Sequence, residues 1–121
     1  MFELKKIFHF EAGHSLAHHQ GLCHQPHGHS YTLTVCLRSK NLSDSGPQKN
    51  MVIDYHSIKV AVEPILKEYL DHQWLNKSLK TDSPTAEFIA QWVYHHLKSL
   101  LPSLYSITVA ETASSSATYW E

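Results

Sequence analysis

The run Phe8-His9-Phe10-Glu11-Ala12-Gly13-His14, read together with His27-Gly28-His29-Ser30-Tyr31-Thr32-Leu33, decides the fold. Phe2, Leu4, Phe8, Phe10 and Ala12 fall at even positions and share one face of a strand, and His14 continues that parity. Downstream, Tyr31, Leu33, Val35 and Leu37 alternate with Thr32, Thr34, Cys36 and Arg38. His27 and His29 carry the same odd parity as the apolar residues. Paired as a hairpin, the two strands bring three imidazoles to one end of one face. Gly28 removes side-chain bulk where the backbone must bend.

The connection between these strands contains Cys23-His24-Gln25-Pro26. Three histidines converge without completing a four-ligand cage, and a thiol is left over. Structural zinc is usually closed by four Cys or His ligands, whereas catalytic zinc keeps a position open for water or substrate. The pattern points to a catalytic zinc on His14, His27 and His29. Among eleven histidines an isolated His-x-His pair would carry little weight. Shared parity and the adjacent cysteine set these three apart, while His18, His19, His24, His95 and His96 read as solvated or locally bonded.

Composition sets the outer limits. A chain of 121 residues, 42% hydrophobic, is expected to form one domain over residues 1–121 with an adequate core. The net charge of -1 leaves no basic footprint for nucleic acid, and Arg38 is the only arginine. No secretory signal is expected at the start, and no stretch approaches the length of a membrane span. Two cysteines are too few for a disulfide framework, so a reduced, cytoplasmic setting is expected.

The rest reads as two helices between pairs of strands. Residues 40–50 form a polar loop, and Asp54 is a good N-cap for a helix with Ile58, Val62, Ile65, Leu66 and Tyr69 on one side. Pro64 should kink or break it. A second helix begins near Ser83-Pro84-Thr85 with Pro84 in its first turn; its stripe is Ile89, Trp92, Val93, Leu97 and Leu100, and Pro102 stops it. Tyr105, Ile107 and Val109 alternate as a third strand, and a fourth ends in Tyr119 and Trp120. The expected class is α+β with a mostly antiparallel, four-stranded sheet.

Two polar groups invite a chemical reading. Glu111 ends the apolar face of the third strand, either as a plain solvated end or as a carboxylate gripping a planar, NH-rich ring such as a pterin or guanine. Asp71-His72 follows the first helix. The carboxylate can orient the imidazole as a proton shuttle, provided the backbone there is not helical; otherwise His72 complements the helix dipole.

The ordered set Phe10-Glu11-Ala12-Gly13-His14, Cys23 before His27-Gly28-His29, Val52-Ile53-Asp54-Tyr55, Leu70-Asp71-His72, Leu75-Asn76, Pro84-Thr85-Ala86-Glu87 and Glu111-Thr112 resembles the 6-pyruvoyl-tetrahydropterin synthase superfamily. Within it the match is to the bacterial 6-carboxy-5,6,7,8-tetrahydropterin synthases of queuosine biosynthesis. The resemblance implies a tunnelling fold (T-fold), commonly a hexamer of two trimers with interfacial active sites. It implies zinc on His14, His27 and His29, Cys23 as general base and Asp71 with His72 as a proton relay. Glu111 would anchor the pterin and Thr85 would contact its ring. The implied substrate is 7,8-dihydroneopterin triphosphate, with 6-carboxytetrahydropterin, acetaldehyde and triphosphate as products. Gly13 stands where relatives often carry alanine, an exchange expected to be harmless, and Asn50 stands where relatives usually carry glycine, a turn position that asparagine tolerates. Scarcity of arginine leaves the triphosphate-binding residues unidentified. Two other readings stay open: a pyruvoyl-forming enzyme of biopterin synthesis, and a non-catalytic zinc module with Cys23 as fourth ligand.

Overall fold

Alternating hydrophobicity produces the long hairpin at the centre of the computed structural model, which describes residues 1–121. Strand β1 (Phe2–His14) runs antiparallel to β2 (His27–Ser39) in unbroken register from Phe2↔Ser39 to His14↔His27. Helix α1 (Tyr55–Ile65), a two-residue strand β3 (Gln73–Trp74), a single helical turn α2 (Leu75–Ser78) and helix α3 (Ala86–Leu97) follow. Strands β4 (Leu104–Thr112) and β5 (Ser115–Trp120) complete a sheet of order β3-β1-β2-β4-β5. The α+β class and the antiparallel four-strand frame are as expected. The addition is β3, which pairs parallel to β1 at Ala12↔Gln73 and Gly13↔Trp74.

One face of the sheet is apolar and the helices cover it. Phe8, Phe10 and Ala12 of β1, Tyr31, Leu33, Val35 and Leu37 of β2, and Leu104, Ile107 and Val109 of β4 share one core with Ile58, Val62, Ile89, Val93 and Leu97 of the helices. Burying each such aliphatic or aromatic side chain is worth roughly 1.5–3 kcal/mol. The opposite face is threonine-, serine- and charge-rich.

Local sequence explains the helix ends. Asp54 caps α1 by accepting the His56 N–H at 2.8 Å, and Thr85 caps α3 by accepting that of Phe88 at 3.1 Å. Pro84 therefore lies before α3, not in its first turn. Beyond Pro64, which has no N–H to give the helix, α1 ends at Ile65 and the chain continues as a π-turn over Leu66–Leu70. Asn50 adopts the left-handed φ of 64° that its turn requires.

Two further placements differ from the sequence expectation. Tyr105 does not join Ile107 and Val109 in the core. A bulge pairs Cys36 with Ser106 and Leu37 with Leu104, leaving Tyr105 unpaired, and it stacks under the Arg38 guanidinium at 3.7 Å. Leu100 is exposed and Leu101 is buried in its stead, because α3 ends at Leu97 and the helical period no longer applies.

Candidate metal and active site

Strand parity delivers the histidines. His14 faces His27 across the last rung of the hairpin, and His29 lies two residues along the same face. Their ligand atoms all lie within 4.8 Å of one another. On His14 and on His27 a backbone carbonyl fixes which ring nitrogen is bare. His14 Nδ1 donates to the Pro84 carbonyl at 2.8 Å, and His27 Nδ1 donates to that of Gln25 at 2.7 Å. The two Nε2 lone pairs then point at each other across 3.0 Å. That contact is repulsive unless a proton or cation sits between them. His29 Nε2 is buried without a hydrogen-bond partner, 3.3 Å from Glu111 Oε2. Three convergent bare nitrogens beside a carboxylate fit a divalent cation, and backbone carbonyls on the far ring nitrogens are the usual outer support of histidine ligands.

His14 is fully buried, and burial holds its imidazole below the ordinary histidine range, against the opposing pull of the Pro84 carbonyl and Glu111. A metal ligand must be neutral, so this shift favours ligation. Tyr31, stacked on Phe10 with centroids 4.7 Å apart, brings its hydroxyl to 3.3 Å from His14 Nδ1. Burial raises its phenol far above the usual range, so it stays a neutral partner. Sequence parity placed Tyr31 only in the core. Neither its hydroxyl nor the Pro84 carbonyl was recognised as support for the triad; the sole clue was the Pro84-Thr85 pair beside a helix start.

Cys23 sits in a 3-10 turn (Leu22–His24) of the loop joining β1 to β2, partly exposed and outside the cluster of ligand atoms. The loop is tied down at its base. Leu16 N–H bonds the Cys23 carbonyl at 2.9 Å, while Asn76 accepts the Ser15 N–H at 2.9 Å and donates to the Ser15 carbonyl at 2.8 Å. Asn76 belongs to a motif visible in the sequence, yet its reach to Ser15 was not.

Glu111 is the extra residue where β4 shifts register against β5 between Ala110 and Thr112. On the face its parity with Ile107 and Val109 gives it, its carboxylate lies 3.3 Å from His29 Nε2 and is mostly shielded from solvent. It also forms one wall of an open cleft of about 490 Å³, lined with Ala86, Glu87, Thr112 and Ser115 to Ala117. Thr85 lies next to this lining, with its hydroxyl occupied by the helix cap.

Asp71 and His72 are brought together, and the backbone is non-helical as their contact requires: Asp71 is extended and His72 has φ 58°. A left-handed histidine costs roughly 1–2 kcal/mol. Three bonds offset it: His72 N–H to the Glu11 carbonyl at 2.6 Å, Glu11 N–H to Asp71 Oδ1 at 2.9 Å, and His72 Nδ1 to Asp71 Oδ2 at 3.0 Å. The pair stands at the β1 edge, with His72 largely exposed, and is not part of the triad cluster. The Glu11 N–H, and then His72, hold the Asp71 carboxyl below the ordinary aspartate range. Its folded value lies below its unfolded one, so this stabilisation is complete above the ordinary range and fades as pH falls through the folded value. Asp71→Asn should thus cost about 1 kcal/mol or less at neutral pH, discounted for exposure. In urea titrations the difference from the parent should shrink to nothing in acid; a gap independent of pH would mean the charge contributes no stability.

Remaining histidines behave as the sequence reading had them. His18 pairs with Asp82 at 2.9 Å, His19 accepts from Gly21 N–H at 2.9 Å, and His96 donates to the Trp92 carbonyl at 2.8 Å.

Sheet topology, one-sided helices and a three-histidine cluster at the hairpin end define a T-fold protein with a candidate metal site. The chain belongs to the 6-pyruvoyl tetrahydropterin synthase family, which matches it over residues 3–121. It is 41% identical over 121 residues to the 6-carboxy-5,6,7,8-tetrahydropterin synthase of Synechocystis, covering 99% of this chain and 94% of that one. The Haemophilus influenzae protein of the same name is 32% identical over 142 residues and is covered completely, as is this chain. Among solved structures, Caenorhabditis elegans 6-pyruvoyl tetrahydropterin synthase superposes with a TM-score of 0.84 at 28% identity, over 99% of this chain and 95% of that one. No helix of the structure is long and apolar enough to cross a membrane.

Proposed function

We propose that this chain is a zinc-dependent 6-carboxy-5,6,7,8-tetrahydropterin synthase, a lyase that converts 7,8-dihydroneopterin triphosphate into 6-carboxytetrahydropterin, acetaldehyde and triphosphate in queuosine biosynthesis. The observation that carries the reading is the triad of bare, convergent imidazoles with Cys23 held outside it on a tethered loop. Relatives bearing that enzyme name across their full length support it. A non-catalytic module with Cys23 as fourth ligand fits less well, because the thiol is not among the clustered ligand atoms.

His14, His27 and His29 would hold the metal. Bound zinc would supply Lewis acidity toward the substrate's side-chain oxygens, making the adjacent carbon more acidic. Glu111 would accept two N–H bonds from the pterin ring and fix its orientation at the cleft. Cys23 would take the proton from the activated carbon. His72, with Nδ1 held by Asp71, keeps Nε2 available to exchange protons as the side chain tautomerises. No redox cofactor is needed for elimination of triphosphate and side-chain cleavage.

The separation of Asp71-His72 from the triad in one chain supports assembly in which a neighbouring copy completes each site. β5 is an open edge, and β1 is unpaired on its outer side over residues 2–10. Exposed edges are templates for pairing with another chain. Edge-to-edge closure of three copies, stacked as two trimers, would use both.

Mass-spectrometric product analysis of the zinc-loaded protein with 7,8-dihydroneopterin triphosphate tests the reading. 6-Carboxytetrahydropterin with acetaldehyde is the expected result. A pyruvoyl product would move the protein to the biopterin branch, and no turnover with zinc bound would favour the non-catalytic module.

A further inference from the structure

The Trp74 indole packs directly against Gly13. A Cβ on Gly13 would stand 3.2 Å from the indole Cε3, 3.3 Å from Cζ3 and 3.3 Å from the His27 carbonyl oxygen. Gly13 has no left-handed backbone, so a Cβ there would crowd the indole without straining the dihedrals. The ring is still 41% exposed, so its packing fills no part of the main core.

The ring lies over the pairing with β1 of the short strand β3. That strand has two register pairs, Ala12↔Gln73 and Gly13↔Trp74, and directly precedes nothing but the buried Leu75 of α2. Immediately before it comes His72 in its left-handed conformation. The segment 71–74 is therefore pinned at two points on β1. Glu11 bonds Asp71 and His72 at one end, and the indole lies on Gly13 at the other. The Ala12↔Gln73 and Gly13↔Trp74 pairing holds that second end as well, and the indole covers it from one side.

We propose that Trp74, seated on Gly13, is a positioning residue that holds the His72 imidazole against the Asp71 carboxylate. The inference rests on the reading of Asp71-His72 as the proton-transfer pair. Gly13 is its structural counterpart: a side chain there pushes the ring outward and loosens the same segment.

The test uses the full-length, zinc-loaded protein and two independent readouts. The first is the ring nitrogen NMR signal of His72 in substrate-free protein. The second is kcat and KM with 7,8-dihydroneopterin triphosphate. Trp74→Ala should move the His72 signal toward that of a free imidazole and lower kcat on the order of 100-fold with KM little changed, the scale of loss that follows a misplacement of about 1 Å. Trp74→Phe, which keeps an aromatic plane, should retain most of both. Gly13→Ala should reproduce the Trp74→Ala effect, but should add no further loss in a Trp74→Leu background, where no ring remains to be displaced. An unmoved His72 signal in Trp74→Ala overturns the proposal. So does an equal Gly13→Ala penalty in both backgrounds accompanied by weaker zinc binding, since the strain would then pass through the His27 carbonyl. If the parent protein fails to turn over the pterin, the functional reading falls, and the NMR arm alone still decides whether Trp74 positions His72.

Discussion

His14→Ala should abolish zinc binding and lower turnover by roughly three orders of magnitude or more, since Lewis-acid stabilisation is worth several kcal/mol and each factor of ten about 1.4 kcal/mol. His14 is the ligand with the most to lose. It is fully buried, and it alone is gripped by a carbonyl from the helix side of the core, Pro84. Removal leaves that carbonyl without its donor, a cost of about 1–3 kcal/mol to the metal-free protein. Thermal melts with added zinc and with a chelator separate the two effects. In the parent, zinc binds only the folded chain and should raise stability by roughly 2.7 kcal/mol when its free concentration is about 100 times Kd. Part of that gain comes from replacing the 3.0 Å confrontation of two Nε2 lone pairs with ligation. His14→Ala should melt lower than the parent without metal and show no zinc-dependent rise. A variant that kept both the rise and the turnover would remove the triad from the reaction.

Whatever followed a fixed period was legible in the sequence. Alternation placed His14 opposite His27 at the hairpin end, and a two-residue spacing put His29 on the same face. Asp54 as a cap and the break after Pro64 also followed from local chemistry, whereas the sequence leaves the backbone at Asp71-His72 open between helical and non-helical, and it is non-helical in the structure. Period reasoning failed where a strand gained a residue. The bulge at Tyr105 reverses the face of that side chain, and nothing in an alternating run announces an unpaired residue. It failed again at Leu100, where a helical stripe was extended past the helix. The supports of the site were hidden for a different reason. His14 meets Pro84 across 70 residues of chain, and Ser15 meets Asn76 across 61. Such contacts depend on how the helical segment returns to β1, and the two-residue parallel strand that guides it is too short to leave a pattern.

Cys23→Ala should leave zinc bound and still remove most activity, and that pairing of outcomes is what separates a base from a ligand. General-base contributions are typically about 10²- to 10⁴-fold, so kcat should fall within that range while metal content stays at the parent level. The geometry explains why the two properties come apart. The triad is supported by the backbone carbonyls of Pro84 and Gln25; Gln25 caps the 3-10 turn that carries the thiol, but neither support uses the Cys23 side chain. The turn is held through its own backbone, by Leu16 N–H on the Cys23 carbonyl, so deleting the Sγ atom should not release the loop. The melting temperature should accordingly change little, in contrast to His14→Ala. Zinc absorption spectroscopy on the parent adds a direct check, since a coordination shell of nitrogen and oxygen without sulfur is expected. Loss of metal from Cys23→Ala, or a Zn–S distance near 2.3 Å in the parent, would make the cysteine a fourth ligand, close the open position and leave the chain a zinc-binding module whose Asp71-His72 pair has no substrate to serve.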